Sequence, residues 1–158
     1  MTVIIVEGES DRVAVETLGA RSGLRMPEVR AVGGSKGARG ARESLPGERL
    51  VGLVDRAEQG DFERFLGTVF VCDPDLEGEL VRALTPAGVE SLIDGQGELE
   101  AFRLLQQQPA QRTRSVEQQL SRFFGGRSGN KLRYARIMAE AVPLERMPPP
   151  IAALLASL

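Results

Sequence analysis

Four short, mainly apolar runs divide the first half of the chain. They cover residues 2–6, 28–32, 50–54 and 68–72, they are rich in Val, Ile and Leu, and only the second, EVRAV, alternates with polar residues. Runs of this kind are typical of strands that are covered on both faces, as in a parallel sheet. We therefore predict a β-strand in each of these four ranges.

Helical spacing or a turn follows each predicted strand. Apolar residues at helical intervals follow the first run up to Leu24, the third run around Phe62, and the fourth run from Leu76 to Leu84. The stretch after the second run, GGSKGARGAR, is rich in glycine and predicts a helix less clearly. Strands that alternate with helices indicate an α/β domain with right-handed crossovers.

Beyond about residue 85 the pattern predicts helices only. Apolar residues recur at helical intervals near residues 89–93, 99–105, 116–124 and 132–138, and MPPPI precedes a short apolar tail. We therefore predict a Rossmann-type, four-stranded parallel sheet that is flanked by helices, with a helical C-terminal part. The α/β core is placed at residues 1–105, and a helical extension that packs on it at residues 106–158.

Acidic residues follow three of the four predicted strands. The first strand runs into Glu7 and Asp11, the third runs into Asp55, and the fourth runs into an acidic group of Asp73, Asp75, Glu77 and Glu79. The ends of parallel strands lie at one edge of the sheet, where open α/β sheets bind ligands. Like charges that meet there repel one another, and a divalent cation would relieve that repulsion.

Each acid alone also has a simpler interpretation. Glu7 and Asp11 would favour the N-terminus of a helix that Ser10 caps. Asp73 precedes a proline and fits an ordinary turn, and Glu79 fits a solvated helix position. Acids at three strand ends on one edge nevertheless favour a metal site for the group as a whole.

The metal hypothesis also makes a prediction about strand order. If Glu7 shares a metal ion with Asp73 and Asp75, we expect the first and fourth strands to be neighbours in the sheet.

Composition narrows the chemistry of such a site. The 158 residues include no histidine and one cysteine, Cys72, so zinc sites and Ser-His catalysis are close to excluded. Oxygen ligands suit Mg²⁺ or Mn²⁺, and two such ions can clamp both sides of an in-line phosphoryl displacement.

Charge and cysteine content also bear on partners and location. A net charge of −2 argues against a strongly basic nucleic-acid coat but allows nucleic acid as a local partner. A single cysteine permits no internal disulfide and fits a cytoplasmic location. The short, soon acidic N-terminus does not suggest a signal peptide. No apolar run approaches the length of a membrane span, so no membrane partner is expected.

Several motifs resemble those of a known family. VEGESD after the first strand and DPD after a later strand resemble the Toprim domain of topoisomerases, primases and several nucleases. Together with VGLVDRAE, FVCDPDLEGELVRAL and GNKLRYARIMAEA, they make most of the chain similar to the Toprim domain of OLD-family (overcoming lysogenization defect) nucleases. The resemblance implies a Toprim-like fold and a metal-dependent endonuclease that cleaves DNA.

The resemblance also implies roles for individual residues. The implied metal ligands are Glu7, Asp11, Asp55, Asp73, Asp75 and Glu77. Glu7 and Asp75 would also be catalytic. Lys131, one of only two lysines, resembles the residue with which such nucleases stabilise transition-state charge; a solvated lysine is the simpler interpretation.

Two features depart from the family pattern. OLD nucleases carry an ATPase domain ahead of the Toprim part, whereas this sequence lacks the phosphate-binding pattern GxxxxGK[ST]. We therefore expect a stand-alone or excised domain, or an ATPase on a separate subunit. Topoisomerases use a tyrosine nucleophile, but the single tyrosine here, Tyr134, fits a packing position in a tail helix.

Two groups of basic residues are candidates for nucleic-acid contacts. The glycine-rich stretch could contact phosphates through Lys36, Arg39 and Arg42, although a flexible loop explains them equally well. The tail helices carry a second group of Arg122, Arg127, Arg133 and Arg136. A solvated helix face accounts for at least half of that group.

Two functional hypotheses follow. The first is an Mg²⁺- or Mn²⁺-dependent nuclease that acts on DNA, and the complete acidic set favours it. The second is a non-catalytic module of the Toprim fold that binds nucleic acid or a partner ATPase. The missing ATPase and the mild net charge keep the second hypothesis open.

Overall fold

The four apolar runs form a single parallel sheet in the computed structural model, which describes residues 1–158 apart from the side chain of residue 35. The strands are β1 (Thr2–Val6), β2 (Glu28–Ala31), β3 (Arg49–Asp55) and β4 (Thr68–Cys72). Their order is β2-β1-β3-β4, and all neighbouring strands run parallel. The predicted α/β fold with a four-stranded parallel sheet is confirmed.

β3 lies between β1 and β4, so the expectation that the first and fourth strands are neighbours is wrong. Residues 50–54 of β3 are all buried, whereas most of β4 is only half-buried. A strand that is apolar on both faces is stabilised most in the centre of a sheet, where it is covered on every side. β3 takes that central place and β4 becomes an edge strand.

Nine α-helices surround the sheet in the described chain. They are α1 (Glu9–Arg21), α2 (Ser35–Ser44), α3 (Gln59–Leu66), α4 (Leu76–Leu84), α5 (Pro86–Gly95), α6 (Leu99–Gln107), α7 (Val116–Gly125), α8 (Asn130–Ala141) and α9 (Pro149–Ala156). The glycine-rich stretch therefore forms a helix. Its Gly37 lies so close to Val32 that a Cβ atom would meet the Val32 carbonyl oxygen, and close packing explains that glycine.

Alternate side chains of the strands enter two separate cores. Ile4 and Val6 of β1 pack in a large core with α1 and the helices from α4 onwards. Val3 and Ile5 point to the opposite face and pack beneath α2 and α3. The sheet is thus covered on both faces, which explains the nearly unbroken apolar runs of its strands.

The C-terminal helices share the larger core. α8 packs against α1 and α4, and α9 packs against β3 and β4. Tyr134 of α8 is fully buried, lies 4.9 Å from the ring of Phe124, and donates a 2.7 Å hydrogen bond to Glu98. Its predicted packing role is confirmed, while the boundary between residues 105 and 106 stays a prediction.

None of the helices described for this chain combines the length and apolar character that crossing a membrane requires.

Candidate metal centre at the carboxyl edge of the sheet

The first acid follows β1 directly and ties two strand ends together. Glu7 comes one residue after Val6, and its Oε1 accepts a 2.8 Å hydrogen bond from the backbone N–H of Asp55. Glu7 therefore fixes the end of β1 against the end of β3.

The second acid lies in the first turn of α1. Gly8 is the N-cap of this helix, and Oδ2 of Asp11 accepts a 3.0 Å hydrogen bond from the Gly8 N–H. The expectation that Ser10 caps the helix is wrong, because the N-cap is Gly8, two residues earlier, and the helix begins at Glu9. A glycine at the N-cap has no side chain to offer, and Asp11 supplies the acceptor from within the helix.

Two further acids come from β3 and α4. Asp55 is the last residue of β3. Asp75 is the N-cap of α4, and its Oδ1 accepts a 2.7 Å hydrogen bond from the N–H of Gly78. Because Asp75 lies in the turn beyond β4 rather than on the strand, it reaches the same site although β3 separates β1 from β4.

These acids line one cavity of about 200 Å³. Glu77 and Lys131 lie in its wall, and Leu76, Leu80 and Met138 contribute apolar surface. Lys131 is the second residue of α8, which follows Gly129 in the left-handed conformation with φ of 79°. The structure thus brings together Glu7, Asp11, Asp55, Asp75, Glu77 and Lys131.

Burial and mutual repulsion raise the pKa of three acids of this cavity, Asp11, Asp55 and Glu77. Burial, together with the charges of Glu7, Asp11 and Asp75, raises the pKa of Asp55 to about 8. Burial and the nearby charge of Asp75, opposed by Lys131, raise the pKa of Glu77 to about 7.

The pKa of Asp11 is also raised, although a local hydrogen bond opposes the rise. Burial and the charge of Glu7, opposed by the hydrogen bond from Gly8, raise the pKa of Asp11 to about 6. One lysine thus faces several acids, and an added cation would relieve their repulsion.

The donor set fits a hard cation that keeps some of its water. Carboxylate oxygens line the cavity, and these are the ligands of Mg²⁺ and Mn²⁺ in proteins. Among the residues that the structure describes, no three His, Cys, Asp or Glu side chains are grouped closely enough to hold one ion by themselves. Mg²⁺ commonly takes only one or two carboxylates, with water and substrate phosphate filling its other positions.

Comparison with solved structures identifies the fold. The C-terminal region of the Burkholderia pseudomallei OLD protein superimposes with a TM-score of 0.68 at 20% identity, over 99% of this chain and 95% of that one. The C-terminal region of the Xanthomonas campestris pv. campestris OLD protein gives a TM-score of 0.73 at 21% identity, over 98% and 90%. This chain has the Toprim-like fold of an OLD C-terminal region. No family model matches the sequence, and no curated protein matches it either.

One of the predicted metal ligands, Asp73, lies outside the cavity. Oδ2 of Asp73 is 3.2 Å from the guanidinium of Arg56, and the side chain is more than half exposed. Asp73 and Asp75 are two residues apart in the turn after β4, but Asp75 caps α4 at the cavity whereas Asp73 pairs with Arg56. The structure therefore does not bring Asp73 to the other acids.

Glu79 is buried, contrary to the expected solvated position, because it has two partners. Its side chain is 7% exposed, and Oε1 lies 3.2 Å from the guanidinium of Arg82. The same oxygen accepts a 3.1 Å hydrogen bond from the N–H of Asp73. Glu79 thus stabilises the turn after β4.

The predicted basic contacts of the glycine-rich stretch are not part of the cavity wall either. Lys36 is exposed on α2, and Arg39 is exposed and paired with Glu43 at 2.9 Å. Arg42 donates hydrogen bonds to the carbonyl oxygens of Phe65 and Glu48, so its guanidinium joins α2 to neighbouring segments. Arg42 therefore has a structural role in the OLD-like fold.

Arg133 of the tail group is also engaged within the chain. It pairs with Glu98, donates a 2.6 Å hydrogen bond to Asn130, and lies 4.8 Å from the ring centre of Tyr134. These contacts hold the first turns of α8 against the start of α6. Arg133 thus supports the helix that carries Lys131.

Two cavity residues were missed by reasoning from the sequence. Ser10 and Gly34 both line the cavity. Gly34 is the N-cap of α2, with φ of 102°, a conformation that glycine adopts readily. The pair of glycines after β2 was the only available signal for this close approach, and the placement of Ser10 depended on the exact start of α1.

Proposed function

We propose that this chain is a divalent-metal-dependent nuclease that hydrolyses phosphodiester bonds of DNA, acting as an endonuclease. The carrying observation is that four carboxylates from three strand ends share one cavity with a lysine; the set is Glu7, Asp11, Asp55, Asp75 and Lys131. The likeness to OLD C-terminal regions supports the proposal, because the sequence resemblance implies this activity for such domains.

The cavity acids are the proposed ligands of Mg²⁺ or Mn²⁺. Glu7, Asp11, Asp55 and Asp75 would hold one or two ions, and Glu77 would complete the set at the mouth shared with a neighbouring groove. When bound, such ions neutralise phosphate charge and make water a better nucleophile. Asp73 leaves the proposed ligand set because it is paired with Arg56.

Lys131 is the proposed stabiliser of transition-state charge. Hydrolysis builds negative charge on the oxygens bound to phosphorus, and a fixed cation beside them lowers the barrier. The left-handed Gly129 and the contacts of Arg133 set the position of the α8 start from which Lys131 extends. A lysine can act there as a compact point charge, whereas an arginine would present a wider planar group.

The raised pKa values of Asp11, Asp55 and Glu77 describe the protein before an ion binds. Asp55, with a pKa of about 8, holds a proton at neutral pH in the metal-free state. A cation binds the deprotonated carboxylates, so we expect metal binding to release protons and to strengthen as the pH rises.

A partner ATPase domain or subunit and a cytoplasmic location also belong to the proposal. The structural relatives are C-terminal regions of OLD proteins, which fits a domain that works beside another one. Cys72, the only cysteine, is buried at the end of β4, which fits a reducing compartment.

Plasmid digestion tests the proposal directly. We expect supercoiled DNA to be nicked with Mg²⁺ or Mn²⁺ and to stay intact with EDTA. Asp75→Asn should abolish nicking, and Asn keeps the N-cap function because it caps helices as well as Asp does. Asp73→Asn is the matched control, since it alters an acid of the same turn outside the cavity, and it should cut like the wild type.

A non-catalytic module is the second candidate, and one observation favours it. Among the described residues no three acids are grouped to hold an ion without help. Metal-independent DNA binding by the wild type, with no cutting in either metal at any tested concentration, would support the module and contradict the nuclease.

A further inference from the structure

A groove leads away from the acidic cavity along one face of α7. It has a volume of about 370 Å³ and shares Asp75 and Glu77 with the cavity as common walls. Gln118 and Ser121 of α7 form its opposite side. The groove therefore opens directly from the proposed site of chemistry.

A second hollow of about 350 Å³ continues this groove. It shares Gln118 and Ser121 with the first and adds Arg114 and Arg122. The α7 residues at positions 118, 121, 122 and 125 follow helical spacing, so they form one continuous face. We call the path from Asp75 to Arg122 the α7 groove.

Charge changes sign along the α7 groove. Its inner end carries the acids of the cavity, and its outer end carries Arg114 and Arg122. Both arginines are exposed, and neither forms a salt bridge with another residue in the described part of the chain. Arg114 and Arg122 are therefore available to a ligand. Arg56, Arg82 and Arg133, in contrast, are each paired with an acid.

The middle of the α7 groove is largely apolar. Pro74, Val81 and Pro86 line one side, opposite Gln118 and Ser121. Glu117 and Arg82 also line the groove, and Arg82 is paired with Glu79. Apolar walls favour the flat faces of bases or sugars through the hydrophobic effect, and the outer arginines favour phosphates. A groove of this size is wide enough for a single strand. A duplex, in contrast, is contacted by proteins in its own grooves and along its backbone.

We propose that the α7 groove holds the single DNA strand next to the scissile phosphate, with Arg114 and Arg122 contacting its phosphates. This inference rests on the proposed nuclease function, because it takes the acidic cavity as the place of cleavage. The groove carries no aromatic side chain among its lining residues, so it binds the strand without reading its sequence. The preferred substrate is DNA with a single-stranded segment at the cleavage site.

Binding to a fluorescein-labelled 12-nucleotide single strand tests the groove apart from catalysis. Fluorescence anisotropy in EDTA reports affinity when no cleavage takes place. Arg114→Ala/Arg122→Ala should weaken binding at least 10-fold. The double substitution should also make the slope of log K against log salt concentration shallower by about 1.4, since each lost phosphate contact on a single strand contributes about 0.7 to that slope.

Arg25→Ala/Arg64→Ala is the control with the same change of charge. Arg25 follows α1 and Arg64 lies in the last turn of α3, so both are at the opposite edge of the sheet from the acids. This control should bind the strand like the wild type.

Two single substitutions on α7 are expected to change the affinity for the single strand in opposite directions. Gln118→Glu adds a negative charge to the groove yet keeps the capping interaction with Ser115, because Glu serves equally in that box. It should weaken binding several-fold. Glu117→Gln removes a negative charge from the rim and should strengthen binding.

The outcomes separate this inference from the proposed function. The proposed role of the α7 groove would be contradicted if Arg114→Ala/Arg122→Ala bound the single strand like the wild type. It would also be contradicted if the wild type bound a blunt duplex with equal affinity. Either result would count even if plasmid is cut. Strand binding that depends on the two arginines, without metal-dependent cutting, would keep the groove as a binding surface and reject the nuclease.

Discussion

The acids on the two sides of the turn after β4 differ in what surrounds them. Asp75 joins the other acids of the cavity, where a single lysine faces them. Asp73, two residues away, pairs with Arg56, and the nearby Glu79 pairs with Arg82. Both sides carry carboxylates, but only the cavity side leaves their charge largely uncompensated.

This difference separates acids that stabilise the fold from acids that are available for chemistry. A carboxylate with an arginine partner keeps its charge and fixes local structure. In the cavity, burial and repulsion raise the pKa of Asp55 to about 8, and uncompensated buried groups of this kind are frequent at functional sites. The predictions below test whether the two sides of the turn behave as differently as their surroundings indicate.

The largest effect is expected for Lys131→Ala. Removing the only lysine of the cavity should lower the rate of metal-dependent nicking on the order of 10²-fold or more, by analogy with the loss of an oxyanion-stabilising group. Fold and Mn²⁺ binding should persist, as checked by thermal unfolding and calorimetry. Lys36→Ala is the control for the other lysine and should retain most activity. Nicking at the wild-type rate by Lys131→Ala would remove its proposed role.

Next in size is the effect of the two aspartates on metal affinity. Asp75→Asn should weaken Mn²⁺ binding at least about 10-fold, since even indirect partners of metal ligands cost that much. Asp73→Asn should leave the affinity unchanged. Isothermal titration calorimetry measures both variants, and equal affinities for the pair would abolish the distinction between the two sides of the turn.

The stability of the metal-free protein should fall as the pH rises. Asp55 has a pKa of about 8 in the folded state against 3.8 ordinarily. Between these values the folded state binds more protons than the unfolded state, so raising the pH favours unfolding. Thermal unfolding in EDTA should show a Tm that declines from about pH 4 to about pH 8, and saturating Mn²⁺ should reduce that decline.

Asp55→Asn isolates this effect. The variant should have a flatter pH profile and, near pH 8, a Tm about 2–4 °C above that of the wild type, which corresponds to roughly 1 kcal/mol at this chain length. Asp61→Asn, which alters an exposed aspartate on α3, should retain the wild-type profile. A Tm that rises with pH in EDTA would contradict the inferred repulsion.

The smallest effect is expected for Arg56→Ala. Its ion pair with Asp73 is 3.2 Å long, and both side chains are more than half exposed. Such a pair contributes no more than about 1 kcal/mol, so Tm should drop by less than about 4 °C. Mn²⁺ affinity and nicking should not change. A marked loss of Mn²⁺ affinity would show that the Asp73 side takes part in the site.

Much of the fold could be predicted because buried strands consist of apolar residues, which can be recognised in the sequence. The four apolar runs located all four strands to within about a residue at each end. The order of the strands could not be predicted in this way. The central place of β3 is explained by the full burial of residues 50–54, compared with the half-burial of β4, and both are known only from the structure. The helix after β2 was underestimated, because the glycine content that lowers helix propensity also permits close packing at Gly37.

The site was predictable as a group of acids but not residue by residue. Strand ends at one edge indicated that Glu7, Asp55 and the acids after β4 would converge. Which side of the turn each acid faces depends on backbone conformation at Asp73 and Asp75, which composition does not encode. The burial of Glu79 was missed for a related reason, since one of its partners is a backbone N–H, and the structural contacts of Arg42 also lie on backbone atoms.

The hydrogen bonds that Glu7, Asp11 and Asp75 accept from backbone N–H groups bear on ion selectivity. Each of these carboxylates already has one oxygen engaged and its orientation fixed, so it offers an ion chiefly its other oxygen. Ca²⁺ takes six to eight oxygens and often binds both oxygens of a carboxylate, whereas Mg²⁺ accepts single oxygens at short distance and retains water. A rigid frame of singly available oxygens thus favours the smaller, more strongly hydrated ion.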